Sequence, residues 1–225
     1  IYLGYMRPKG GNMKGDIIRS LIDCGVVAVI RAKDVDEAVK LADCCVEGGI
    51  VGLEITFTVP GCEDVIAKLA SKKDAKYIVG AGTVLDATTA RIAIMKGAKF
   101  IVSPAFDKEV AEMCNLYQVP YMAGCYTITE IVNAMKAGCD VCKIFPGSQA
   151  SPSYFKAVHG PLPQANLMPT GGVSIANAAD WIHAGAVAIG TGSDLTAPAK
   201  DGNYDEVVNR AKQFVEAVKK AREGK

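Results

Sequence analysis

The stretch DVCKIFPG, Asp140 to Gly147, sets a lysine in the middle of a run that otherwise reads as a buried strand. Lysine is almost never fully buried without a partner, so either the strand reading fails here or the amine is enclosed for a chemical reason. The same stretch completes a Cys139-x-x-Cys142 pair, which offers redox or metal chemistry as a rival explanation. If the strand reading holds, VCKIF (Val141 to Phe145) is the sixth of eight short apolar runs that recur roughly every 20 to 27 residues.

The runs before it are VVAVIR (Val26 to Arg31), VGLEITF (Val51 to Phe57), YIVGAGT (Tyr77 to Thr83), FIVSP (Phe100 to Pro104) and YMAGC (Tyr121 to Cys125). LMPTG (Leu167 to Gly171) and AVAIG (Ala186 to Gly190) follow. Segments of helical spacing lie between them, such as DVDEAVKLADCCV (Asp34 to Val46) and TEIVNAMK (Thr129 to Lys136). Several end in a glycine turn, at Gly48-Gly49, Gly97, Gly138 and Gly185, as a C-cap requires. Strands apolar on both faces that alternate with helices imply a parallel sheet covered by helices. Eight such units predict an α/β fold of the (β/α)8 TIM-barrel type. MKGDIIRSLIDC (Met13 to Cys24) would be an extra N-terminal helix across the bottom, and YDEVVNRAKQFVEAV (Tyr204 to Val218) would close the ring. A doubly wound open sheet has the same alternation, since strand count alone does not prove closure.

The 225 residues fit one such domain, read here as 13–225, with residues 1–12 (IYLGYMRPKGGN) as a tail that shares no periodicity with the rest. Lys and Arg (25) nearly balance Asp and Glu (24), and a net charge of +1 gives no support to a nucleic-acid or membrane surface. No apolar run approaches the ~18 to 20 residues that cross a bilayer, and the amino end lacks a secretory pattern. The expected location is the cytoplasm. Eight cysteines diluted in a long chain, several in helix-like or strand-like apolar context, read as reduced structural thiols.

Arg31, Glu54 and Lys143 are the only Lys, Arg or Glu side chains within the eight runs. Strand parity puts Lys143 on one face with Val141 and Phe145, and Glu54 with Thr56. The bland reading is a buried ion pair, structurally neutral or even costly. Location favours function: barrel active sites form at the carboxyl ends of the strands, where Thr83, Pro104, Lys143 and Thr170 fall, with Glu54 just past the middle of its run. Enclosure disfavours a charged amine, and a neutral lysine attacks carbonyl carbon to form a Schiff base. A partly desolvated glutamate can carry the protons. Together they equip a barrel for carbon-carbon cleavage next to a ketone. PTGGVS (Pro169 to Ser174) and GTGSD (Gly190 to Asp194) end the last two strands in glycine-rich turns; read as opening onto helix amino ends, they present N–H groups to a phosphate.

The cysteine pair fares worse. Tetrahedral zinc would need two further ligands, yet His159 and His183 stand alone and there is no second CxxC. A thioredoxin-like motif follows a strand and opens a helix, whereas this pair leaves a helix and enters a strand. Cys142, facing away from Lys143, is expected to pack against the helix layer, as are Cys44 and Cys45 on theirs. No metal site is expected.

Taken together, LEITFTVP (Leu53 to Pro60), GAGTV (Gly80 to Val84), Ser103-Pro104, KIFP (Lys143 to Pro146), PTGG (Pro169 to Gly172) and Gly192-Ser193 closely resemble the 2-keto-3-deoxy-6-phosphogluconate aldolase family, which includes 4-hydroxy-2-oxoglutarate aldolases. The resemblance runs in order from about residue 13 to the end. It implies a class I aldolase, free of metal and cofactor, on a (β/α)8 barrel that forms homotrimers. It implies Lys143 as the Schiff-base lysine and Glu54 as the general acid/base. Thr83, Pro104, Phe145 and Thr170 would surround the pyruvate moiety, and Gly171, Gly172, Gly192 and Ser193 would bind phosphate.

In one respect the chain departs from this pattern. Many members carry arginine four residues after the glutamate, where this chain has Thr58; Arg31 could reach the same carboxylate from the first strand. The implied partner is a 2-keto acid or phosphosugar cleaved to pyruvate and glyceraldehyde 3-phosphate, with no nucleic acid and no membrane. Another phosphosugar isomerase or epimerase, or a non-catalytic barrel scaffold, are the competing readings.

Overall fold

The computed structural model describes residues 13–72 and 75–224; the tail read at 1–12 lies outside them. Its strands are β1 (Val26–Ile30), β2 (Gly52–Thr56), β3 (Ile78–Gly82), β4 (Ile101–Val102), β5 (Tyr121–Cys125), β6 (Val141–Ile144), β7 (Leu167–Pro169) and β8 (Ile189–Thr191). They pair in parallel in the order β7-β6-β5-β4-β3-β2-β1-β8. A bridge between Thr170 and Gly190, with Val187 N–H donating to Leu167 O at 3.0 Å, joins the two edges. The sheet therefore closes, and the open doubly wound alternative falls.

The strand limits match the apolar runs to within two residues except at AVAIG, and FIVSP is shortened at both ends. FIVSP yields only Ile101–Val102 as ladder, because Pro104 has no N–H with which to continue it. AVAIG is displaced: the ladder with β1 starts at Val26–Ile189 and runs to Thr191. Ala186 to Ala188 is instead the approach from the left-handed Gly185 that follows the preceding helix.

The helices are α1 (Lys14–Cys24), α2 (Val35–Glu47), α3 (Cys62–Ala70), α4 (Ala87–Met95), α5 (Lys108–Tyr117), α6 (Ile128–Lys136), α7 (Pro152–His159), α8 (Ala178–His183), α9 (Ser193–Thr196) and α10 (Tyr204–Glu223). Side-chain caps fix where several of the helices begin. Asp34, Asp86 and Asp107 each accept a backbone N–H three residues on, at 2.7–2.8 Å, and Thr127 with Glu130 forms a capping box. α10 packs against α8 and α2 and completes the helical ring. None of the described helices is long and apolar enough to cross a membrane.

Two cores follow from strand alternation. Outward residues such as Ile30, Leu53, Ile55, Ile101, Cys142 and Ile144 pack under the helices. Inward residues Val27, Ile78, Phe100, Val102, Met122, Val141 and Met168 fill the lower barrel, plugged from below by Ile17 and Leu21 of α1. Glycines make this fit possible. A Cβ on Gly80 would lie 2.5 Å from the Phe100 ring, and one on Gly52 2.6 Å from Leu21. α1 is held by Lys14, whose Nζ is 2.9 Å from Asp140 Oδ2, and by Arg222, which donates to the carbonyls of Ile22, Asp23 and Val187. The plug makes the bottom solid and leaves the upper end for a site.

Candidate active site

At the upper end, register aligns Glu54 of β2 with Val29 of β1 and Gly80 of β3, and Lys143 of β6 with Gly124 of β5. Glu54 and Lys143 thus face each other across the barrel interior. Lys143 Nζ lies 3.4 Å from Glu54 Oε1, with side-chain exposures of 6% and 1%. Glu54 Oε2 is buried without a partner. A buried charge pair with an unsatisfied oxygen is a poor way to stabilise a fold. As an acceptor kept free beside an amine, it is suited to proton transfer.

Two glycines shape this ring. A Cβ on Gly82 would sit 2.2 Å from Glu54 Oε1 and 2.5 Å from its Cγ, so the carboxylate occupies the space that Gly82 leaves. A Cβ on Gly124 would lie 2.1 Å from the Pro104 carbonyl, so the backbone after β4 closes over β5 next to Lys143. The glycines of GAGT are therefore packing features, Gly82 making room for Glu54 and Gly80 for Phe100.

Above the pair opens a cavity of about 260 Å3. Lys143, Phe145, Thr170 and Arg31 line it, together with Gly171, Gly172, Gly192 and Ser193. The Phe145 ring centroid is 5.3 Å from Lys143 Nζ. Thr170 Oγ1 is buried and unpartnered, wedged where a Cβ on Gly190 would come within 2.3 Å of it. Val29, Val173 and Gly190 also line the cavity and were not singled out from sequence, though the period-2 parity that selects Lys143 also selects Val29 and Gly190.

Two expectations need amendment. Thr83 and Pro104, just past the ends of β3 and β4, do not line this cavity; Thr83 adopts the left-handed region at φ 57°, a costly conformation for a β-branched residue. The PTGG turn does not open directly onto a helix, because α8 begins only at Ala178. Any anion held by this turn must be met by turn backbone rather than by a helix end. Arg31 reaches the cavity lining, while Thr58, at the place of the family arginine, is exposed and bonded at 2.7 Å to the Thr56 hydroxyl.

A larger groove of about 700 Å3 lies at the opposite end, lined by Ser20, Cys24, Val51, Val215 and Arg222. Size favours it, but it holds no buried charge pair, and barrel chemistry sits at the carboxyl ends of the strands. Cys142 faces the α6 backbone, its Sγ 4.0 Å from Ile131 O. Burial pushes the Cys45, Cys62 and Cys114 thiols up to about 12. These are packing thiols rather than nucleophiles.

A closed (β/α)8 barrel with an enclosed lysine-glutamate pair under a glycine-lined cavity carries the groups that carbon-carbon cleavage through a Schiff base requires. The family model for KDPG and KHG aldolase matches residues 17–210, and the chain belongs to that family. It is 32% identical to the 2-dehydro-3-deoxy-6-phosphogalactonate aldolase of Escherichia coli (strain K12), over 87% of this chain and 95% of that one. It is 33% identical to the KHG/KDPG aldolase of the same organism, over 86% and 92%. Among solved structures it superposes on the KDPG aldolase of Legionella pneumophila with pyruvate captured at low pH as a covalent carbinolamine intermediate. That match has a TM-score of 0.81, 25% identity and coverage of 90% and 98%.

Proposed function

We propose that the chain cleaves 2-keto-3-deoxy-6-phosphogluconate to pyruvate and glyceraldehyde 3-phosphate, reversibly, and acts on 4-hydroxy-2-oxoglutarate to give pyruvate and glyoxylate. The observation that carries the reading is the Lys143–Glu54 pair, buried at 3.4 Å beneath the cavity. Lys143 gives a proton to Glu54 and its neutral Nζ attacks the C2 ketone, a second proton passing from nitrogen to the C2 oxygen as the carbinolamine forms. The resulting carbinolamine loses water, with Glu54 supplying the proton, to give an iminium. Glu54, now ionised, takes the C4 hydroxyl proton directly or through water, and the C3–C4 bond breaks, the electron pair flowing into the iminium to form an enamine. Glyceraldehyde 3-phosphate leaves, Glu54 returns the proton to C3, and water hydrolyses the regenerated iminium to release pyruvate and Lys143.

Thr170 and Phe145 surround the pyruvate half, and Arg31 meets its carboxylate at the cavity mouth. Thr83 and Pro104 shape the adjoining rim. Gly171, Gly172, Gly192 and Ser193 receive the phosphate at the other end. The carbinolamine trapped in the Legionella relative supports the covalent step. An isomerase or epimerase would need no amine beside the ketone, and a scaffold would need neither charge.

Kinetics with a lactate dehydrogenase couple test the assignment. The wild type should turn over the 6-phosphogluconate-derived substrate, and Lys143→Ala should lose the ~10²-fold or more that a covalent nucleophile contributes. Appreciable turnover by Lys143→Ala refutes the covalent route. Eight free cysteines fit a cytoplasmic setting. The homotrimer draws support from α4, which buries Ala90 and Ala93 yet exposes Ile92 and Met95, beside exposed Leu116 and Tyr117 of α5. Light scattering should return three times the 23.6 kDa chain mass; a monomer would contradict it.

A further inference from the structure

We propose that Asn177 is a positioning residue that fixes the phosphate-facing backbone of the turn after β7 and so sets the preference for phosphorylated substrates. The inference rests on the phosphate assignment made above. Gly171 and Gly172 take φ of 87° and 72°, a conformation that gives this turn freedom to flip its peptides. Asn177 removes that freedom. Its Oδ1 accepts the Ser174 N–H at 2.9 Å, and its Nδ2 donates to Gly172 O at 3.0 Å.

A trans peptide points its C=O and its N–H in opposite directions. Holding the Gly172 carbonyl towards Asn177 therefore turns the Val173 N–H the other way. Gly172 and Val173 both line the cavity, and among the described residues their N–H groups have no intramolecular partner. Asn177 itself does not line the cavity, so it acts through the backbone it holds. A second brace ties this turn to the segment that carries Ser193. Asp194 Oδ2 accepts the Ile175 N–H at 3.4 Å, and Arg210 Nη1 donates to Asp194 O at 2.6 Å. The two glycine turns are thus set relative to one another by side chains outside the cavity.

The test separates the two ends of the substrate. Aldol addition of pyruvate to glyceraldehyde 3-phosphate is compared with addition to unphosphorylated glyceraldehyde, and inorganic phosphate is titrated as an inhibitor. Asn177→Ala should raise KM for the phosphorylated aldehyde about tenfold, the loss of one well-aimed hydrogen bond to a charged group. kcat/KM for glyceraldehyde should stay within about twofold of wild type, as for a change remote from the reacting carbons. Asn177→Asp keeps the acceptor for Ser174 but sets a carboxylate oxygen against Gly172 O, and it should weaken inhibition by phosphate at least as much. Equal losses with both aldehydes, or an unchanged KM for the phosphorylated one in either folded variant, overturn the inference. A wild type that forms the pyruvate adduct on Lys143 yet does not prefer the phosphorylated aldehyde also overturns it, leaving the aldolase reading intact. A wild type without the adduct refutes the aldolase reading itself.

Discussion

Replacing Gly82 by alanine should disable the chemistry without touching either charged residue. The new methyl would stand 2.2 Å from Glu54 Oε1 and 2.5 Å from its Cγ, against an ordinary carbon-oxygen contact of roughly 3.5 Å. The carboxylate must therefore retreat by about 1 Å, and displacement of that size costs about 10²-fold in rate. Glu54 is 1% exposed, so there is little room to absorb the shift, and overpacking should lower stability by about 1–3 kcal/mol. The expected outcome is a folded protein, checked by its circular dichroism melt, whose kcat falls about 10²-fold with Lys143 in place. Pairing Gly82→Ala with Glu54→Asp shortens the acid by one methylene and should recover part of the loss. Wild-type kcat in Gly82→Ala, or a double variant no better than the single one in a folded protein, would refute the placement of Glu54.

Arg31→Ala should raise the apparent KM for pyruvate about tenfold, as expected for loss of a charged hydrogen bond to its carboxylate; an unchanged value removes Arg31 from substrate binding. Thiol titration of the native protein should find Cys24 and Cys139, which are partly exposed, before any of the six buried cysteines. With burial holding Cys45, Cys62 and Cys114 up to about 12, these should react only on unfolding. Rapid native modification of Cys45 would contradict its burial on α2.

Much of this architecture could be read from the chain because barrel units repeat a simple code. Apolar runs, polar helix starts and glycine stops located all eight strands, and a charge inside an apolar run is conspicuous whatever its partner. Parity grouped Lys143 with Val141 and Phe145, and Glu54 with Thr56; the structure shows that these faces point inward. The displaced β8 shows the limit: Ala186 to Ala188 is as apolar as the ladder that follows, and only the pairing with Val26 shows where the strand begins. Closure likewise depends on the Thr170–Gly190 bridge, a contact between distant positions. The work of Gly82, Gly124 and Gly190 was hidden for the same reason, since a glycine in sequence does not say which neighbour fills its missing side chain. Thr83 was legible as a strand end but not as a left-handed residue. Asn177 resembles any helix-start residue until its two bonds to the turn are seen.

The central claim is that Lys143 forms the Schiff base, and one measurement addresses it directly. The protein is incubated with pyruvate and borohydride, digested, and the peptides are mapped by mass spectrometry. The account predicts one reduced pyruvate adduct, on Lys143, blocked in Lys143→Ala and dependent on pyruvate. No adduct, or an adduct on a surface lysine such as Lys156 with Lys143 unmodified, would contradict it.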